Sequence, residues 1–185
     1  EADVEFGNRL LADLLAGQPG LYSCWGMTPP VLDDLPEPGG WVREAAASGA
    51  RAVRLFPRHG LYTLSEWCCG SLCAALEAAG MPLLLDFGDH HWSERVIPWR
   101  EVNDLCLRHP RLAVLVTGVT TGEVRDAVPL LKRLPNLHAE SHALSVPDVF
   151  QAFAKEGLLN KILFGSGLPS RAGECAAGQL LNGLN

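Results

Sequence analysis

A chain of 185 residues with 48% hydrophobic and 19% charged residues carries enough apolar surface for one buried core, which excludes a disordered segment. The formal net charge is −6 and the basic residues are scattered, so neither nucleic acid nor an anionic membrane is an expected partner. No stretch approaches the roughly 20 apolar residues that span a bilayer, and the opening EADVEFGNRL lacks the basic end and apolar centre of a secretory signal, so a soluble cytoplasmic protein is expected.

Helix and strand signals alternate along the chain. Asn8 to Ala16 has helical spacing, and LYSCW (Leu21 to Trp25) reads as a strand ending at Thr28-Pro29-Pro30. The loop LPEPGG leads into a helix over Trp41 to Ala47, and ARAVRLFP (Ala50 to Pro57) is the next strand. A helix over Ser65 to Ala79 has Ser65 as N-cap and Gly80 as its stop, and strand MPLLLDF follows at once. The plan then repeats: helix Trp99 to Arg108, strand Leu112 to Gly118, helix Glu123 to Leu134, strand Leu137 to Ala143, helix Pro147 to Glu156, strand KILFGSG, and a last helix from near Gly173.

PLLL, LAVLV and KILF are continuous apolar runs, as expected of strands buried on both faces of a parallel sheet. Six strands separated by helices imply repeated βα units with right-handed crossovers. Two architectures fit: an open doubly wound sheet and a (β/α)8 barrel. The first strand ends in GMTPP, and neither GxGxxG nor GxxxxGK[ST] occurs, so nucleotide binding has no support. A barrel normally has eight strands in roughly 250 residues, more than this chain supplies.

The six cysteines, Cys24, Cys68, Cys69, Cys73, Cys106 and Cys175, form no CxxC pair and sit mostly among apolar residues. Reduced, buried thiols are expected rather than a disulfide framework. Cys69 and Cys73 share a helix face at i, i+4, but two thiols alone make a poor zinc site.

GARAVRLFP, GMPLLLD, HPRLAVLVTG, NLHAES and NKILFGSGLP, in that order and spacing, resemble the amidohydrolase superfamily, specifically the amidohydrolase-2 group of metal-dependent hydrolases and decarboxylases. The resemblance covers about residues 8 to 185, and NKILFGSGLP is its most specific part. It implies a single domain over 1–185, an α/β TIM-like (β/α)8 barrel with about six βα units present, the visible strands being the third to eighth. On that alignment the chain is expected to be incomplete at both ends, because the family's first strand, with its His-x-His metal pair, has no counterpart.

The resemblance also implies a divalent metal such as zinc, held at strand ends where this sequence has Asp86, Thr117 and Gly167. A catalytic metal needs three or more imidazole or carboxylate ligands and an open position for water. Threonine is a weak ligand and glycine is none, so no metal ligand or other cofactor is assigned.

Barrel sites form at the C-terminal strand ends, which directs attention to Trp25, Arg54, Asp86 with Asp89, His90 and His91, Thr117, Glu140 with His142, and Ser166. DFGDHHW concentrates two carboxylates and two imidazoles, either a relocated metal site or a polar loop; its DFG has no kinase context. Arg54 lies between apolar residues and must be paired with Asp86 or Glu140, or turned toward a substrate carboxylate. Glu140 and His142 fall on one strand face, as acid and base beside Asp86 if that face is the barrel interior. Ser166 lacks a nucleophile-elbow context and is kept as a binding group, together with Arg54, His91 and Thr117. His59 and His109 read as solvated, and Trp41, Trp67 and Trp99 as helix-to-barrel packing.

The expected function is hydrolysis or decarboxylation of a small carboxylate or amide-type molecule, with Asp86, Glu140 and His142 as catalytic candidates and the family's metal positions degenerate. The alternative is a catalytically silent barrel that binds a small molecule or supports an oligomer. An open sheet exposes two edges, so a homo-oligomer is expected.

Overall fold

The computed structural model describes residues 4–29, 37–88, 94–144, 148–169 and 173–183. Its elements run α1 (Val4–Leu15), β1 (Ser23–Met27), α2 (Pro38–Ala47), β2 (Ala50–Leu55), a short α3 (Pro57–Gly60), α4 (Glu66–Ala79), β3 (Leu83–Leu85), α5 (Trp99–Arg108), β4 (Val114–Val116), α6 (Val124–Arg133), β5 (Leu137–Glu140), α7 (Val149–Lys155), β6 (Ile162–Leu163) and α8 (Gly173–Gly183). The strands form one sheet in the order β1-β2-β3-β4-β5-β6, with every neighbouring pair parallel. This is the repeated βα plan read from the sequence.

Side-chain parity explains which face is packed. Val53, Leu83, Val114 and Leu137 lie in register, as do Leu55, Leu85 and Val116, and all seven are fully buried. They meet Leu72 and Leu76 of α4, Val102 and Leu105 of α5, and Leu131 of α6 in one apolar cluster. Burying each such side chain contributes about 1.5–3 kcal/mol before chain entropy is counted, so this layer holds the sheet to its helices. The opposite row, Gly26, Arg54, Leu84, Leu115 and His138, is also in register but only partly buried. One packed and one hollow face distinguish a barrel wall from a doubly wound sheet, whose helices cover both faces.

Local chemistry sets the helix ends. α2 begins three residues earlier than the sequence reading placed it, because the exposed Glu37 carboxylate accepts the Gly39 and Gly40 amides at 2.8 Å and Pro38 supplies a preset first turn. α4 stops at Gly80, which adopts φ +63. Ser65 occupies its N-cap position, but its hydroxyl bonds Thr63 Oγ1 at 2.6 Å and caps no backbone amide. β1 is shifted two residues later than expected, leaving Leu21 and Tyr22 exposed.

At the outer edge of β1, the Asn8 side chain of α1 donates to the Gly26 carbonyl and accepts the Gly26 N–H, both at 2.8 Å. It satisfies two edge groups that a further strand would otherwise take. No helix among the described residues is long and apolar enough to cross a membrane.

Candidate active site

The hollow face opens at the C-terminal strand ends into a cavity of ≈ 710 Å³. Leu84, Leu115 and Leu163 line its wall, and Arg54, Asp86, Thr117, Glu140, His142 and His59 bring polar groups to it. β2, β3, β4 and β5 each contribute from the end of the strand or just beyond it, as the parity of inward-facing residues dictates.

Arg54 forms an ion pair at the cavity. Its Nη2 donates to Asp86 Oδ2, and its guanidinium lies 5.4 Å from the Phe56 ring centroid. The other Asp86 oxygen accepts the Gly88 N–H at 2.7 Å. Each carboxylate oxygen of Asp86 therefore accepts one hydrogen bond, which ties Asp86 to Arg54 and to the turn at Gly88.

Glu140 and His142 form the second pair. Glu140 Oε1 accepts the His142 backbone N–H at 2.9 Å, and Oε2 meets His142 Nδ1. With the carboxylate ionised, Nδ1 carries the proton and Nε2 is the ring nitrogen able to accept another. Glu140 is 8% exposed and lines the cavity on the barrel interior together with His142.

Glycines make this geometry possible, and sequence reading undervalued them. A Cβ on Gly165 would lie 1.3 Å from Glu140 Oε1 and 2.1 Å from its Cδ, so the first glycine of GSG is the space that the carboxylate occupies. Gly88, at φ +76, has room only for hydrogen because a Cβ would stand 2.7 Å from His59 Cε1. His59 is thus exposed, as expected, but over the cavity; its place just past the end of β2 was the available signal. Gly167 adopts φ +70, a left-handed backbone conformation that glycine takes without strain.

The remaining candidates divide. Thr117 is buried on the cavity wall, with its hydroxyl 3.4 Å from the Leu85 carbonyl. Ser166 accepts the Leu168 N–H at 3.3 Å, while Gly167, Leu168 and Pro169 line the cavity beside it. Trp25 points the other way, buried against Trp41 and Ala45. Asp89, His90 and His91 lie outside the described residues.

Two further expectations are corrected. His109 is buried, between Glu66 at 3.5 Å and Glu77 at 3.9 Å, because α5 ends against α4 and not in solvent. Trp67 is 88% exposed and packs on nothing in the core, since it falls on the outer face of α4. Among the described thiols, Cys69, Cys73 and Cys106 are buried while Cys24 and Cys68 are only partly so, and burial pushes Cys24 up to about 11 and Cys73 and Cys106 up to about 12.

Among the described residues, no group of three or more His, Cys, Asp or Glu side chains is placed to hold a metal ion. At the strand ends Asp86 pairs with Arg54, Glu140 pairs with His142, and Gly167 offers no donor.

An amidohydrolase family model matches residues 11–182. The chain belongs to the amidohydrolase family. Solved structures agree on the fold. An uncharacterized TIM-barrel protein from Bordetella bronchiseptica superposes with a TM-score of 0.74 at 18% identity, over 95% of this chain and 64% of that one. An amidohydrolase 2 from Bifidobacterium longum subsp. infantis gives 0.62 at 17% identity, over 98% and 68%. A dihydroorotase from Campylobacter jejuni gives 0.56 at 16% identity, over 78% and 50%. The chain therefore spans less than two thirds of the Bordetella protein's length. No curated protein matches it in sequence. The family and these neighbours make the hollow sheet a partial (β/α) barrel of amidohydrolase type, as the sequence motifs implied.

Proposed function

We propose that this amidohydrolase-family barrel is a hydrolase-type protein whose reacting group is the Glu140–His142 pair, acting on a small carboxylate- or amide-type molecule. The observation that carries this reading is the pairing itself: a nine-tenths-buried carboxylate on His142 Nδ1, at the wall of a cavity of ≈ 710 Å³. Such a pair orients an imidazole and stabilises its protonated form. His142 Nε2 takes a proton from water as the water oxygen bonds to the substrate carbonyl carbon. The same proton passes to the departing oxygen or nitrogen as its bond to that carbon breaks.

Arg54 and His59 supply cationic and donor groups for a substrate carboxylate, and Thr117 Oγ1 supplies a further polar contact. The residues at the described strand ends do not fit a family-type metal centre. A panel of small carboxylate-bearing esters and amides tests the reading. Turnover of at least one, falling by about 10²–10⁴-fold in His142→Ala with an unchanged melting temperature, is expected. Turnover indifferent to His142→Ala removes the assignment.

A binding-only barrel is the second reading. It is favoured by the closed Arg54–Asp86 pair, which withholds one carboxylate from chemistry. In either case Phe164, 53% exposed beside the β6 edge, supports association with a second copy. Sedimentation reporting only monomer at micromolar concentration would contradict that expectation.

A further inference from the structure

Glu123 is fully buried, yet no cation neutralises it among the described residues. A carboxylate in that position must be held by donors, and three are present. Oε1 accepts the Val96 N–H at 2.9 Å and the Ile97 N–H at 3.3 Å, and Oε2 accepts Trp99 Nε1–H at 2.6 Å. Those donors belong to the segment that enters α5, downstream of Asp86 and Gly88. The backbone of Glu123 belongs to a different segment: its N–H closes a turn onto the Thr120 carbonyl at 2.9 Å, and its own carbonyl starts α6 by accepting from Ala127. That turn follows Thr117 and Gly118 on the cavity wall. A single residue thus joins the connections that leave two adjacent strands on the same side of the mouth.

We infer that Glu123 is a positioning residue, a clip that fixes the β3–α5 connection to the β4–α6 turn and so sets the wall carrying Thr117 and Gly118. The functional sense of the clip rests on the pocket reading above, but its physical content does not. A charged acceptor shared by three donors is worth more than one neutral hydrogen bond, and among the described residues neither connection has a strand ladder to hold it. Local opening there is governed by the clip, not by the core.

Amide hydrogen exchange on the full chain tests it. In Glu123→Ala, exchange at Val96 and Ile97 is expected to quicken by about tenfold or more, while Leu83 and Val114 in the sheet stay within about twofold. The Thr117 and Gly118 amide resonances should shift, and the Trp99 indole N–H signal should move upfield. Glu123→Gln, which keeps one acceptor oxygen, should restore protection at Val96 and Ile97 but not the indole signal. Unchanged exchange at Val96 and Ile97 in Glu123→Ala, or equal acceleration at every core amide, would overturn the inference. If Glu123→Ala fails to fold, Trp99→Phe removes one donor of the three, and it must still shift the Thr117 and Gly118 amides. None of these signals depends on turnover, so the clip and the hydrolase reading stand or fall separately.

Discussion

Replacing Gly165 with alanine is a test of the pocket that needs no substrate. The added Cβ would coincide with the Glu140 carboxylate, at 1.3 Å from Oε1, 2.1 Å from Cδ and 2.6 Å from Cγ. Gly165 does not have a positive φ, so the cost is steric and falls on Glu140. The carboxylate must rotate away from His142, giving up the 2.9 Å bond from the His142 amide and the contact with Nδ1. Hydrogen bonds to a charged group contribute about 1.5–3 kcal/mol, and overpacking adds about 1 kcal/mol or more. Gly165→Ala should therefore destabilise the fold by about 2–4 kcal/mol in urea unfolding followed by circular dichroism. With Glu140→Ala in the background the clash disappears, so the two changes should be non-additive by about 1.5–3 kcal/mol. A cost below about 0.5 kcal/mol, or the same cost with and without Glu140, would refute the packing of the pair.

Other expectations follow from the same geometry. Asp86→Ala removes the carboxylate that the Arg54 guanidinium and the Gly88 amide donate to, and should cost about 1–2 kcal/mol, discounted because Arg54 is 40% exposed, with part of the loss disappearing at high salt. Leu85→Ala opens a cavity where the sheet meets the helices and should cost about 2–5 kcal/mol by the same unfolding assay. Burial raises the Cys24, Cys73 and Cys106 thiols from an ordinary 9.0 to about 11 and about 12, so the unfolded chain loses these protons first. The stability they contribute is complete below about pH 9 and is lost as pH rises toward 11–12; urea midpoints that do not fall between pH 8 and pH 10.5 would contradict this. Iodoacetamide at pH 8 should label Cys73 and Cys106 only in urea, as checked by mass spectrometry.

The fold was legible because its signals are local and repeated. Apolar runs such as LAVLV mark strands buried against helices, and the alternation of helix and strand specifies a parallel sheet. Strand ends were read too long: β3 closes at Leu85, the Asp86 N–H makes one further bond to the Leu55 carbonyl at 2.9 Å, and the chain turns at Gly88 with φ +76. The inward side of β5 was decided only by the sheet, since Glu140 and His142 read equally well on either face. Arg54 needed a partner by burial alone, and the choice between Asp86 and Glu140 awaited register, which places Arg54 beside Leu84, two residues before Asp86.

His109, Glu123 and Gly165 escaped for one common reason. Each is defined by a neighbour 24 to 43 residues away, Glu123 by Trp99, Gly165 by Glu140 and His109 by Glu66, and no periodicity in one segment reports such a contact. The family's strand-end motifs pointed to the right rim but said nothing about which groups now face each other across it.

The most direct measurement is hydrolysis by protein stripped of metal. A substrate found in the ester and amide panel should be turned over at an undiminished rate after exhaustive chelation, with less than about 0.1 equivalent of zinc, iron or manganese remaining by elemental analysis, as proton transfer by the Glu140–His142 pair requires. Activity that vanishes on chelation and returns with added zinc would contradict the account.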